Sequence, residues 1–145
     1  MITLHIAKYL ETLGLGTFDV SGTVKTNGIY TEFLDTGKTG ITIYSRGAPI
    51  SRATRTTQAF DLYARGTNNI DGYKRLEQAI TTLQGNYNDQ CSLPTPIMLG
   101  IQTLSNKQYT NIVIEPISGV ENVGADATNR VIYTATFTIK YNNNN

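Results

Sequence analysis

The stretch from Arg55 to Asn86, RTTQAFDLYARGTNNIDGYKRLEQAITTLQGN, holds two hydrophobic periods in succession. Gln58, Phe60, Leu62 and Ala64 stand two apart, with Ala59, Asp61, Tyr63 and Arg65 between them. Alternation of that kind puts one set on each side of a β-strand. Gly66 to Asn69 interrupt it. Ile70, Tyr73, Leu76, Ile80 and Leu83 then recur every three or four residues, the stripe of an amphipathic helix. Asn68 or Asn69 can cap the first turn, Asp71 suits the positive end of the dipole, and Gly85 can close the helix. Gly72 weakens the first turn without forbidding it. This strand–helix unit is scaffold and carries no reactive group.

Working outward, Ile2, Ile6, Tyr9, Leu10 and Leu13 make a second helical stripe, with Lys8, Glu11 and Thr12 opposite. Gly14 stands just past it, so a helix is expected over about 2–13. Residues 17–27 read as a connection that tucks in Phe18, Val20 or Val24. Ile29–Leu34 and Ile41–Arg46 read as the arms of a hairpin around the turn DTGKTG at 35–40. Gly47–Thr54 reads as a loop. Beyond the helix, Pro94 and Pro96 mark residues 86–96 as loop. Strands are expected over Ile97–Leu104 and Ile112–Ile117, joined by SNKQYTN, followed by a long loop over 119–129. The last strand is the plainest: Val131, Tyr133, Ala135, Phe137, Ile139 and Tyr141 alternate with Ile132, Thr134, Thr136, Thr138 and Lys140. At about 35 Å for eleven residues it is long for a small domain. Asn142–Asn145 reads as a fraying polar tail. The order predicts one α+β domain over 1–141. Its sheet is antiparallel or mixed, of five to six strands, with both helices on one face.

Composition narrows the function. The chain has 145 residues, formal net charge +1, 39% hydrophobic and 16% charged residues. Thr, Asn, Gln and Ser make up the polar balance, and such groups are hidden in a contact more cheaply than charges. No global basic excess points to nucleic acid. No apolar run reaches about 18 residues, and the N-terminus lacks the pattern of a signal peptide, so a soluble protein of a reducing compartment is expected.

Candidate chemical sites fail one by one. GKT at 37–39 resembles the end of a phosphate-binding loop, but Glu32 stands where the first glycine belongs and no helix follows. His5 is the only histidine and Cys91 the only cysteine, so no zinc spacing exists and no nucleophile–base pair is offered. His5 reads as a half-exposed helix residue. Carboxylates are scattered, and Asp61, in mid-strand, reads as a solvent-face residue. The nine tyrosines could stack bases. Tyr9, Tyr73, Tyr133 and Tyr141, however, lie on apolar stripes, which leaves Tyr44, Tyr63 and Tyr109 as exposed candidates. No catalytic residue, cofactor site or metal site is expected, and the chain does not read as an enzyme.

Charge is distributed locally. The segment 46–55 holds Arg46, Arg52 and Arg55 and no acid, whereas 119–129 holds Glu121 and Asp126 and no base. One subunit's basic loop could meet its neighbour's acidic loop, a head-to-tail contact that closes into a ring. Alternatively, the arginines could face a pore through which DNA passes.

A pattern emerges from these residues. An N-terminal amphipathic helix ends in Gly14-Leu15-Gly16-Thr17-Phe18. The strand–helix unit that follows carries Arg55, Phe60, Leu62, Arg65, Gly66, Gly72, Tyr73, Leu76, Ile80 and Leu83 at characteristic spacing. An alternating strand ends the chain. In this it resembles the minor capsid and tail terminator proteins of long-tailed bacteriophages, and is similar in plan to the tail terminator of phage lambda. It departs from them in the arginine-rich segment within 36–54 and in the long loop after the strand pair 97–117.

The resemblance implies a virion structural protein that forms a homohexameric ring on the head-proximal end of the tail tube. Its partners would be its own copies, the tail tube protein and a head–tail connector or head-completion protein. Genomic DNA would pass through the lumen without sequence-specific binding, and no membrane is involved. The implied location is the virion neck, after assembly in the host bacterial cytoplasm. The alternatives are a tail tube or head-completion protein, a nucleic-acid-binding module, or a small hydrolase built on His5.

Overall fold

The computed structural model describes residues 2–19, 23–34, 37–52, 54–83, 113–127 and 129–142. In chain order the elements are α1 (Ile2–Thr12), β1 (Thr17–Phe18), β2 (Gly28–Thr31), β3 (Gly40–Arg52), β4 (Arg55–Arg65), α2 (Asp71–Leu83), β5 (Val113–Pro116), β6 (Glu121–Ala125) and β7 (Val131–Asn142). The expected strand at 97–104, together with Gly85, Cys91, Pro94, Pro96 and Tyr109, lies outside the described residues.

The strands form one mixed sheet of seven, in the order β1-β2-β3-β4-β7-β5, with β6 also paired to β7. β1, β2 and β3 are mutually parallel. The β3–β4, β4–β7, β5–β7 and β6–β7 pairs are antiparallel. The α+β plan holds, with two helices packed near the sheet. Strand alternation places Ile41, Ile43, Phe60, Leu62, Ala64, Ala135, Phe137 and Ile139 on one face, all buried. Ile6, Ala7 and Leu10 of α1 and Leu76, Ala79 and Leu83 of α2 join them in a single core. Phe60 and Phe137 stack across the β4–β7 pair at 5.3 Å.

Local signals explain the helix ends. Gly14, at φ +82°, terminates α1. Glu11 then ties α1 to β1, its carboxylate accepting from Lys8 Nζ at 2.6 Å and from the Phe18 amide at 2.7 Å. The Lys8 hydrogen bond is the main cause of a Glu11 pKa below the ordinary value. At the start of α2, Asn68 Oδ1 accepts from the Ile70 and Asp71 amides. Asp71 reaches back to the Thr67 hydroxyl and amide, and the hydroxyl bond is the leading cause of its lowered pKa.

Five expectations are corrected. β2 and β3 are not a hairpin. β2 stops where Glu32 takes φ +63°, and the chain returns to run parallel, with Gly40 beside Gly28. A Cβ on Gly40, at φ +139°, would lie 2.0 Å from the Gly28 carbonyl oxygen, so only glycine permits this approach. The connection is shorter than the dozen or so residues usual between parallel neighbours. No sequence period announces it.

Of the expected loop 47–54, residues 47–52 are strand. β3 runs on to Arg52 as the arm of a long hairpin with β4, and residues 47–49 bulge opposite Gln58. The segment 119–129 is not all loop either. β5 and β6 lie end to end along the same side of β7, interrupted at 117–120. Asn142 belongs to β7, opposite Arg55, and not to a tail.

The core face of α2 is also rotated from the expected stripe. Gly72, Leu76, Ala79 and Leu83 are buried, while Ile70 and Tyr73 remain exposed. Gly72 lets the helix settle on β4, since a Cβ there would meet the Ala64 carbonyl oxygen at 2.8 Å.

Candidate functional site

The described surface has two unusual regions, one along the β3–β4 arm and one along the β5–β6 edge. The arm projects beyond the helices: every residue of β3 from Arg46 to Arg52 is exposed. Directly paired residues share a face of the sheet. Ile50 pairs with Thr57 and Thr57 with Lys140, while Arg52 pairs with Arg55 and Arg55 with Asn142. Ile50, Arg52, Arg55, Thr57 and Lys140 therefore line one open groove of about 380 Å³, on the face opposite the helices. Lys140 is the member that the sequence did not single out. The signal was available only as register, because it stands some 85 residues from Arg55 in the chain (140 against 55).

Arg46 belongs to a different environment. Its Nε lies 3.5 Å from Asp61 Oδ2, and Asp61 also accepts from the Thr136 hydroxyl at 2.7 Å. Asp61, expected to face solvent, is thus largely covered and satisfied.

The two acidic candidates divide. Glu121 is exposed on β6. The Asp126 side chain is largely covered, and its Oδ2 lies 3.0 Å from Nη1 of Arg65 and 3.4 Å from Nε of Arg130. Its Oδ1 accepts from the Arg130 amide at 2.9 Å. Arg65 completes its fork on the Lys38 carbonyl, from Nε at 3.0 Å and Nη2 at 2.6 Å. This buried cation sews the ends of β4 and β6 to the 37–39 segment. Sequence alternation had placed Arg65 on the solvent side of β4, and the structure leaves it 1% exposed.

The second region lies at the opposite side of the sheet. Tyr73, Glu77 and Ile80 of α2 and Gly119 and Val120 between β5 and β6 line an open groove. Ile117 and Val123 stand exposed beside it, as do Ile70 and Tyr73 on the helix flank. Among the described residues no strand pairs with the outer side of β5 and β6.

Candidate chemistry is answered case by case. Lys38 of the GKT segment pairs with Asp19 at 3.2 Å and lies over the Tyr30 ring, and so forms part of the structure. His5 is fully buried in α1, contrary to the half-exposed expectation, because α1 is enclosed by β1, β2 and β3. Tyr44 and Tyr63 are half-buried against each other at 5.1 Å. Among the described residues, no cluster of three or more His, Cys, Asp or Glu could hold a metal ion. No described helix is long and apolar enough to cross a membrane. No protein-family model and no curated protein sequence matches this chain.

Proposed function

We propose that this protein is a virion structural subunit of a long-tailed bacteriophage. In this reading it is a tail terminator whose copies close into a homohexameric ring on the head-proximal end of the tail tube, where they meet the head connector. One observation carries the reading. The exposed large hydrophobic residues among the described ones stand at separate places: Ile50 on the arm, Phe33 just after β2, and Ile70, Tyr73, Ile117 and Val123 along the β5–β6 side. Two different patches on one subunit suit head-to-tail contact, and such contacts close into rings. Burying isolated groups of this kind against a neighbour removes apolar area from water at about 25 cal/mol per Å². The acidic contribution to that contact comes from Glu121, since Asp126 is committed to Arg65. The protein works in the virion neck by fitting partners, with no reaction chemistry of its own.

Light scattering on a size-exclusion column, with negative-stain microscopy of the same fractions, tests the reading. The expected result is one species at six times the 15.9 kDa chain mass, seen as discrete rings. Open filaments would move the assignment to a tail tube protein. A strict monomer at high concentration would end the ring reading. Ile50→Asp is expected to dissociate the ring while the subunit stays folded.

A further inference from the structure

We infer that the partner of the arm is the broken outer edge of a second copy: Ile50 seats in the gap between β5 and β6 of the neighbour, and Arg52 pairs there with the neighbour's Glu121. The inference rests on the proposed ring and names the contact that would close it. Strand addition is the simplest way for two sheets to join, and both edges are built against it. Pro49 and the bulge at 47–49 interrupt β3 along the arm, and Pro116 offers no amide hydrogen on β5. β6 bulges between Asn122 and Gly124. A contact between these edges must be made by side chains.

Those side chains are complementary in shape and charge. Ile50 is 60% exposed near the end of the arm, and Arg52 follows two residues on, along the same face. The receiving gap, residues 117–120, is pinned to β7. The Thr136 carbonyl accepts from the Ile117 amide at 2.7 Å, and the Ser118 hydroxyl accepts from the Thr136 amide at 3.0 Å. Gly119 adds no side chain, and a Cβ there would stand in open space. Ile117, 59% exposed, and Val120 supply apolar walls, and the groove continues to Tyr73 and Ile80 of α2. Glu115 and Glu121 flank the gap, both exposed. The stretch 113–125 has no Lys or Arg, and 46–52 has no Asp or Glu. Among the described residues, none of Arg52, Glu115 and Glu121 is in an ion pair. An isoleucine followed by a cation therefore meets an apolar gap followed by an anion. One half lies on the β3 side of the sheet and the other on the β5–β6 side, so the contact runs head to tail.

A charge swap and a cross-link on the full chain test the contact. Sedimentation velocity over a concentration series gives the midpoint of assembly. Arg52→Glu and Glu121→Arg are each expected to raise that midpoint about tenfold or more, and the two together to bring it back to within about threefold of the parent. Arg52→Glu with Glu115→Arg is expected to give no such recovery. Lys25→Glu, the same kind of charge change at an exposed site between β1 and β2, is expected to leave the midpoint within about threefold of the parent. In a Cys91→Ser background, Ile50→Cys and Val120→Cys on one chain are expected to link copies into a covalent ladder under mild oxidation, which requires Cβ atoms about 3.5–4.5 Å apart. Either cysteine alone is expected to give no cross-link. Melting followed by circular dichroism confirms that each variant is folded. Rings in the parent with no recovery in the Arg52→Glu, Glu121→Arg pair, or with no ladder, overturn this contact and leave the ring reading standing. A dimer linked through Ile50→Cys alone also overturns it, since the arms would then meet each other. A parent that stays monomeric at every concentration overturns both.

Discussion

β4 begins and ends with an arginine, and the two ends of that strand solve the problem of a positive charge in opposite ways. Arg65 is buried, with its fork divided between Asp126 and the Lys38 carbonyl. Arg55, about 33 Å away by strand geometry, lies in an open groove with Arg52 and Lys140. The first arrangement holds three segments of the chain together. The second concentrates like charge at the surface. Residue type did not decide the role. What differs is the setting: Asp126 and the Lys38 carbonyl enclose Arg65, whereas Arg55 lines an open groove on the arm.

The comparison can be broken at several points. Asp126→Asn leaves a buried guanidinium without its counter-charge and is expected to destabilise the fold by about 3–5 kcal/mol, read by urea unfolding. If the loss were under about 1 kcal/mol, the two ends of β4 would not differ as described. Gly40→Ala, which forces a Cβ into the Gly28 backbone beside the same network, is expected to cost about 2–4 kcal/mol in that assay.

Glu11→Gln weakens the tie between α1 and β1 and should cost about 1 kcal/mol at neutral pH. Because the Glu11 pKa is depressed in the fold, its contribution is complete above the ordinary glutamate value of 4.5 and is lost as pH falls through the lower folded value. The Tm difference between parent and variant, about constant from pH 7 to 5, should shrink below that point in thermal melts. The smallest effect belongs to the exposed end. Arg52→Gln relieves repulsion with Arg55 and should change stability by no more than about 0.5 kcal/mol, with any change stabilising. A loss of several kcal/mol would show that the arm is as structural as the Arg65 end.

Legibility along the chain follows the same divide. β4 and β7 could be read because each buries one face only, so strict alternation survives in the sequence. Phe60, Leu62, Ala135, Phe137 and Ile139 are buried as their spacing demands. The helix α2 was legible as a helix but not in its rotation. Its large apolar side chains do not all point inward, because Gly72 and Ala79 are the residues small enough for close approach to β4 and β7. The parallel return of β2 into β3 could not be read, since DTGKTG suits a tight turn equally well and the deciding contact is between two glycine backbones. Of the candidate residues, Arg52 and Glu121 are exposed as their loop-like composition suggested, and Arg55 is half-buried. Asp126 was misplaced because the partner that buries it is 61 residues away.

The amino-acid sequence by itself determined the helices, the two long central strands and the absence of any local catalytic motif, because periodicity and spacing are properties of neighbouring residues. Only the tertiary structure decided the parallel β1–β3 edge, the broken outer strand, the burial of Arg65 and the meeting of Lys140 with Arg52 and Arg55. Each of these depends on backbone register or ion pairing between segments far apart in the chain, and neither leaves a trace in local composition.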